Sequence, residues 1–236
     1  MIFCMALYEE SVPRRWLFAA LCLLLFIPLV YTLNRTTYVM FLAGMIYIAF
    51  CEKRKWLIFL LLGLLLASPF LLPSVAMERI AFTWLDGINP GREWHLDQSF
   101  DERIFTFRKV WNVYRENPFV NPWIGTGVGS LLITESQYVK TLHEIGLIGL
   151  GIWLWIFARL FKISRWLFGT LEGGYLKGMM LGYRAGLIAL LLHGFGTITF
   201  FIVRIMEPFM FITGIVVSLY LLKVAEQSRG PALDSG

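Results

Sequence analysis

Between residues 125 and 151 the chain reads GTGVGSLLITESQYVKTLHEIGLIGLG, a run dense in residue types that could do chemistry. Glycines alternate at Gly125, Gly127 and Gly129, a carboxylate follows at Glu135, a phenol at Tyr138 and an imidazole at His143. Alternating glycines invite comparison with phosphate-cradling loops. Here the Lys-Ser/Thr that completes a P-loop is missing, the G-x-G-x-x-G spacing of a dinucleotide fold is absent, and no β-α-β pattern surrounds the run. The glycines therefore read as a turn entering a helix. Glu135, close to that helix start, complements the helix dipole, and Tyr138 falls about one turn later on the same face. Gly146 and Gly149 are expected to permit close helix packing. His143 reads as a structural interfacial histidine, and His193, beside Gly194 and Gly196, as an inter-helix hydrogen-bonding group.

The elements that must position these residues are set by composition. Hydrophobic residues make up 58% of the 236-residue chain and charged residues only 16%, against about 25% charged in soluble domains. Mean hydropathy is +0.67, and the 16% aromatic content suits the interfacial belts that flank apolar spans. This is the composition of an integral membrane protein. Its net charge of +5 belongs to loop Lys and Arg residues and does not indicate nucleic-acid binding. Cys4, Cys22 and Cys51 are scattered, and with His95, His143 and His193 they form neither a disulfide framework nor a zinc-ligand pattern.

Six apolar stretches are expected to span a bilayer: residues 16–33, 36–51, 56–75, 141–161, 180–203 and 209–222. The first lacks a small-x-small cleavage site and reads as an uncleaved span. The chain thus divides into three N-terminal transmembrane helices (1–75), a polar loop (76–140), three C-terminal transmembrane helices (141–222) and a polar tail (223–236). Arg14, Arg15, Lys53, Arg54, Lys55, Arg159, Lys162, Arg165, Lys177, Lys223 and Arg229 all fall on one side of this arrangement, which makes that side and both termini cytoplasmic. The 76–140 loop then faces the periplasm or cell exterior. Within it, residues 101–116 have helical periodicity: Arg103, Phe107, Val110 and Tyr114 share one face, Arg108, Trp111, Asn112 and Arg115 another. This pattern predicts an amphipathic helix lying at the membrane interface. Arg184, inside an apolar neighbourhood, is expected to snorkel to the cytoplasmic side.

Two arginines break the charge rule. Arg35 and Arg204 sit in short outer turns, where cations are disfavoured. A guanidinium fork binds phosphate oxygens bidentately, and the contact strengthens beside a low-dielectric membrane. Lipid headgroups offer Arg35 an equally good partner.

These segments, in this order, make the chain resemble the C-terminal half of the O-antigen ligase / O-antigen polymerase superfamily of bacterial surface-glycan enzymes. NRTTYV places Arg35 where that superfamily has an arginine at a membrane-helix start. RIFTFRKVWNVYRENPFVNPWIGTGVGS places Arg103, Phe107, Arg108, Pro118, Gly125, Gly127 and Gly129 on the loop motif. ESQYVKTLHEIGLIGL places Tyr138, Leu142, Glu144, Gly146, Gly149 and Leu150 on the helix that comes next. The chain departs from the pattern at Glu135 and Ser136, where ligase members carry His-Asn, and His143 is not in register with that histidine. The departure leans toward a polymerase-like member.

The resemblance implies an all-α polytopic membrane enzyme that transfers a glycan from an undecaprenyl-diphosphate carrier to an acceptor hydroxyl, on another glycan or on lipid A-core, at the outer face of the inner membrane. The donor is already activated, so no cofactor, nucleotide or metal is expected. Arg35 and Arg103 are expected on the diphosphate with Arg108 or Arg204 assisting, Tyr138 at the substrate, and Glu135 as catalytic base. The chain is about half the superfamily's usual length and lacks its early membrane helices, which leaves three readings: a fragment, an internal-start product, or a reduced relative needing a second subunit to supply them. A non-catalytic membrane partner, or a truncated and inactive relative, in surface-polysaccharide assembly is the rival reading. A small transporter is disfavoured, since the spans show neither paired charges nor an inverted repeat.

Overall fold

The computed structural model describes residues 1–31, 35–53, 98–116, 121–130 and 136–229, with isolated positions 59 and 63. The third expected span, the first part of the outer loop, Glu135 and the end of the tail lie outside the described residues. Among those described, the regular structure is entirely helical, and the chain is an all-α membrane protein. The helices are α1 (Ile2–Tyr8), α2 (Val12–Tyr31), α3 (Arg35–Glu52), α4 (Gln98–Glu116), α5 (Gln137–Thr170), α6 (Gly174–His193) and α7 (Val203–Arg229), with a 3-10 turn at Thr199–Phe201 before the last. Segments of α2, α5, α6 and α7 are long and apolar enough to cross a membrane, and most of α3 forms a shorter apolar helix.

Helix α6 is the centre of the bundle, packed by α1, α3 and α5. In a bilayer, lipid tails are as apolar as leucine, so helices associate through close packing and interhelical hydrogen bonds. Both are visible. Gly178 and Gly182 of α6 face the backbone of Cys4 and Met1, and an added Cβ at either would collide with it. Ser164 of α5 donates to the Met180 carbonyl at 2.9 Å, and the Tyr183 hydroxyl meets Thr213 of α7 at 2.9 Å. One apolar cluster joins α5, α6 and α7 around Phe157, Met180, Leu187 and Phe209. A second joins α1, α3 and α6 around Cys4, Ile48 and Leu181. The spanning segment of α2 buries nothing among the described residues and turns outward, as a lipid-facing helix does.

Arg184 does not snorkel. It is only 5% exposed, with its guanidinium 4.6 Å from the Phe168 ring centroid and 6.0 Å from that of Tyr47. α1 and α3 pack against α6 around it and close the route to the surface.

The register of α3 against α6 decides at which end of the bundle Arg35 lies. Gly44 sits against Ala185 and Ala189, and Tyr47 beside Arg184. Residue number thus rises along α3 as it falls along α6, so the helices are antiparallel. Arg35, first in α3, lies at the end of the bundle where α6 finishes.

Candidate functional site

At that end, α5 is not the continuous helix that the apolar pattern predicts. It has 34 residues and would extend about 51 Å, against a hydrocarbon core of about 30 Å. The backbone breaks at Gly146, with φ 70° and ψ −171°, a conformation essentially restricted to glycine. Residues 147–170 are long enough to cross the bilayer alone. Residues 137–145 form a separate half-helix carrying Gln137, Lys140, Thr141, His143 and Glu144, a set too polar for lipid.

A break of this kind strands backbone groups, because each helical N–H should donate to the carbonyl four residues earlier. The glycine loop supplies replacements on both sides. Leu147 and Ile148 donate to the carbonyls of Pro122 and Trp123, at 3.0 and 3.2 Å. The His143 carbonyl accepts from the Thr126 amide and hydroxyl, each at 2.9 Å, and the Glu144 carbonyl from the Gly127 amide at 3.0 Å. The Leu142 carbonyl accepts from the Tyr114 hydroxyl of α4 at 2.6 Å. The loop therefore completes the broken helix, in the manner required of non-helical backbone near a membrane.

The glycine spacing now has its cause. Gly125, Gly127 and Gly129 have φ of 83°, 101° and 84°, values that L-residues with a Cβ rarely adopt. Gly125 also sits so close to α5 that a Cβ would lie 2.7 Å from the Glu144 carbonyl and the Gly146 nitrogen. Gly146, expected to bring two helices together, instead admits the loop: a Cβ there would strike the Trp123 carbonyl.

One carboxylate fastens the assembly. Glu144 is 3% exposed. Its Oε1 accepts from the Gly129 amide at 3.1 Å and pairs with the Lys140 ammonium at 3.3 Å, while Lys140 also stacks on Phe201 at 4.6 Å. In the sequence Glu144 is legible only as a matched position in the HEIGLIGL motif, and nothing local assigns it this contact.

The half-helix is also bound to the turn after α6. The Gln137 amide donates to the Gly194 carbonyl at 2.8 Å, and the Gln137 Oε1 accepts from the Phe200 amide at 3.2 Å. The Tyr138 hydroxyl donates to the Leu191 carbonyl at 2.8 Å, and its ring packs on Phe195 and Trp153. His193 is the last residue of α6, its Nδ1 2.7 Å from the Thr199 hydroxyl, so it fixes this turn and does not bridge two spans.

The expected site residues are spread over several elements. Arg35 opens α3 at the same end as the loop, and Arg204 lies exposed at the start of α7, four residues beyond the Phe200 that touches Gln137. Arg103 lies two turns before Val110, on the α4 stripe whose buried Val110 and half-buried Tyr114 face α5. Arg108 is exposed, about 200° around the helix from Val110. Ser136, directly after Glu135, is buried. Among the described residues no three His, Cys, Asp or Glu side chains gather as a metal-ligand set.

A polytopic helical bundle with a broken membrane helix, completed at one end by a glycine loop beneath an arginine-bearing amphipathic helix, defines the class. A family profile described as O-antigen ligase matches residues 19–154, more than half of the chain, and the match ends just beyond the helix break. The chain belongs to the O-antigen ligase family. No curated protein and no solved structure matches it.

Proposed function

We propose that this protein transfers a glycan from an undecaprenyl-diphosphate carrier to an acceptor hydroxyl at the outer face of the bacterial inner membrane, as a polymerase or ligase of surface polysaccharide. The observation that carries the reading is the gathering, at one end of the bundle, of Arg35, the arginine helix α4, the docked glycine loop and Arg204. The described cations Arg14, Arg15, Lys53, Arg159, Lys162, Arg165, Lys177 and Lys223 belong to the opposite half of the bundle. This supports an outward-facing site with both termini cytoplasmic.

The chemistry needs two things of the protein. The acceptor oxygen bonds to the anomeric carbon as that carbon's bond to the diphosphate breaks, and the electron pair leaves on the diphosphate oxygen. Arg35 and Arg103 neutralise that charge, with Arg108 or Arg204 assisting, in a low-dielectric setting where each contact gains strength. The acceptor proton passes to Glu135. A carboxylate of ordinary pKa, about 4.3, is a modest base, one that desolvation would strengthen. The acceptor is another glycan unit or lipid A-core.

The test is a deletion strain complemented with wild type, Arg35→Ala or Glu135→Gln, its surface glycans resolved on a gel. A polymer ladder lost with either substitution supports a polymerase, and carrier-linked polymer with a bare core supports a ligase. Activity kept by Glu135→Gln but lost with Arg35→Ala would remove Glu135 as base while keeping the diphosphate site. Full activity with Arg35, Arg103 and Glu135 all replaced would favour the non-catalytic partner.

A further inference from the structure

Three separate elements converge on the nine residues 137–145. The arginine helix reaches them through Tyr114, the glycine loop through Thr126, Gly127 and Gly129, and the α6–α7 turn through Gly194 and Phe200. The chain passes from the half-helix to its own spanning helix through a glycine whose backbone has left helical geometry, and Tyr138 packs on Trp153 of that helix. A break of this kind transmits little helical stiffness, so these docking contacts share in setting its position. All but one of the loop contacts are of backbone or hydroxyl type. The exception is the Glu144 carboxylate, which holds the Gly129 amide while the charge of Lys140 compensates it.

Glu144 is buried, its partners are internal, and it lies on the loop side of the half-helix. We propose that Glu144 is a positioning residue: it locks the glycine loop across the break in α5, and so fixes the half-helix, with Ser136 and Tyr138 at its start, relative to the arginine helix. This rests on the glycan-transfer reading for its catalytic consequence but not for its structural one. Misplacing a catalytic group by about 1 Å lowers turnover on the order of a hundredfold without weakening substrate binding to match.

The experiment uses the full chain in nanodiscs with wild type, Glu144→Ala and Glu144→Gln. Hydrogen exchange across residues 126–130 reads the lock directly and needs no activity. Glu144→Ala is expected to lower protection there roughly ten- to hundredfold, the loss of one hydrogen bond to a charged group. Glu144→Gln keeps an oxygen acceptor for Gly129 and is expected to retain most of it. Transfer from a synthetic lipid-diphosphate glycan is read in parallel: kcat falls in Glu144→Ala with KM for the donor little changed, and Glu144→Gln restores much of kcat. Unchanged exchange in Glu144→Ala overturns the lock. Lost protection with kcat intact overturns the positioning role, as does a rise in KM alone, which would place Glu144 against substrate. Absence of transfer by wild type both in nanodiscs and in membranes of the native host overturns the glycan-transfer reading and the catalytic role with it, while the exchange result still decides whether the lock exists.

Discussion

Gly146→Ala tests the broken helix through the sign of its effect. In a continuous α5, alanine would stabilise the helix by about 1 kcal/mol relative to glycine. In the broken helix two terms oppose it. The backbone at Gly146 (φ 70°, ψ −171°) costs a residue bearing a Cβ of order 1–3 kcal/mol. The new Cβ would also stand 2.5 Å from the Trp123 carbonyl carbon and 2.6 Å from the Ile124 nitrogen, contacts that backbone atoms cannot relieve by rotating a side chain. The loop must then lift. That loosens the bonds of Leu147 to Pro122, Ile148 to Trp123, Thr126 to His143 and Gly127 to Glu144, each worth about 1 kcal/mol net. Whether the chain keeps the strain or lifts the loop, the expected loss is about 3 kcal/mol, or about 6–12 °C in Tm for a chain of this size. Gly151→Ala is the control, since nothing lies within 4 Å of a Cβ there and the backbone is helical; its effect is expected within about 1 kcal/mol. Thermal unfolding of the purified protein followed by fluorescence reads both, and hydrogen exchange of residues 121–130 reports the loop. If Gly146→Ala matched Gly151→Ala in Tm and left the loop amides protected, the broken-helix reasoning would be refuted.

Tyr114→Phe removes the 2.6 Å bond to the Leu142 carbonyl and is expected to loosen α4 from α5 by about 1 kcal/mol, measured as faster exchange across α4. Burial raises the Tyr114 pKa above its ordinary 10.0. The proton is held more tightly in the folded state, so this contribution is complete below pH about 10 and lost as pH climbs through the raised value. Alkaline exchange should therefore open α4 in wild type and add little in Tyr114→Phe. Arg184→Met keeps the bulk of a buried cation whose Nε has no partner and which forms no ion pair among the described residues. Its desolvation outweighs ring stacking worth up to about 2 kcal/mol, so Tm is expected to stay level or rise, and a clear fall would mean an anion accompanies Arg184.

Much of this architecture was legible in the residues. Apolar length placed membrane helices in α2, α5, α6 and α7 and a shorter apolar helix in α3, since satisfying backbone polar groups in lipid leaves helices as the spanning form for such runs. The stripe of Arg103, Val110 and Tyr114 placed α4, and Val110 is indeed its buried contact. The ends of the spans were less legible. The stretch opening near residue 141 begins at Gln137, and the one expected to run to residue 203 stops at His193. Hydropathy reports transfer to lipid and is indifferent to a polar half-helix held outside it or to a turn closed by His193 and Thr199.

By itself, the sequence determined that the chain enters a membrane, that arginines stand at 35 and 204 beside apolar runs, and that glycines stand at 125, 127, 129 and 146. Those are properties of single residues and of spacing. Only the tertiary structure decided what the glycines are for, because their reason lies in another segment. Gly146 breaks α5 so that Pro122, Trp123, Thr126 and Gly127 can take over its backbone hydrogen bonds, and Gly125 is bare because the Glu144 carbonyl occupies the space of a side chain. Backbone groups look alike in every sequence. Which of them pair across 17 or 25 residues is settled by where the chain folds back, and here that pairing joins the loop to the helix.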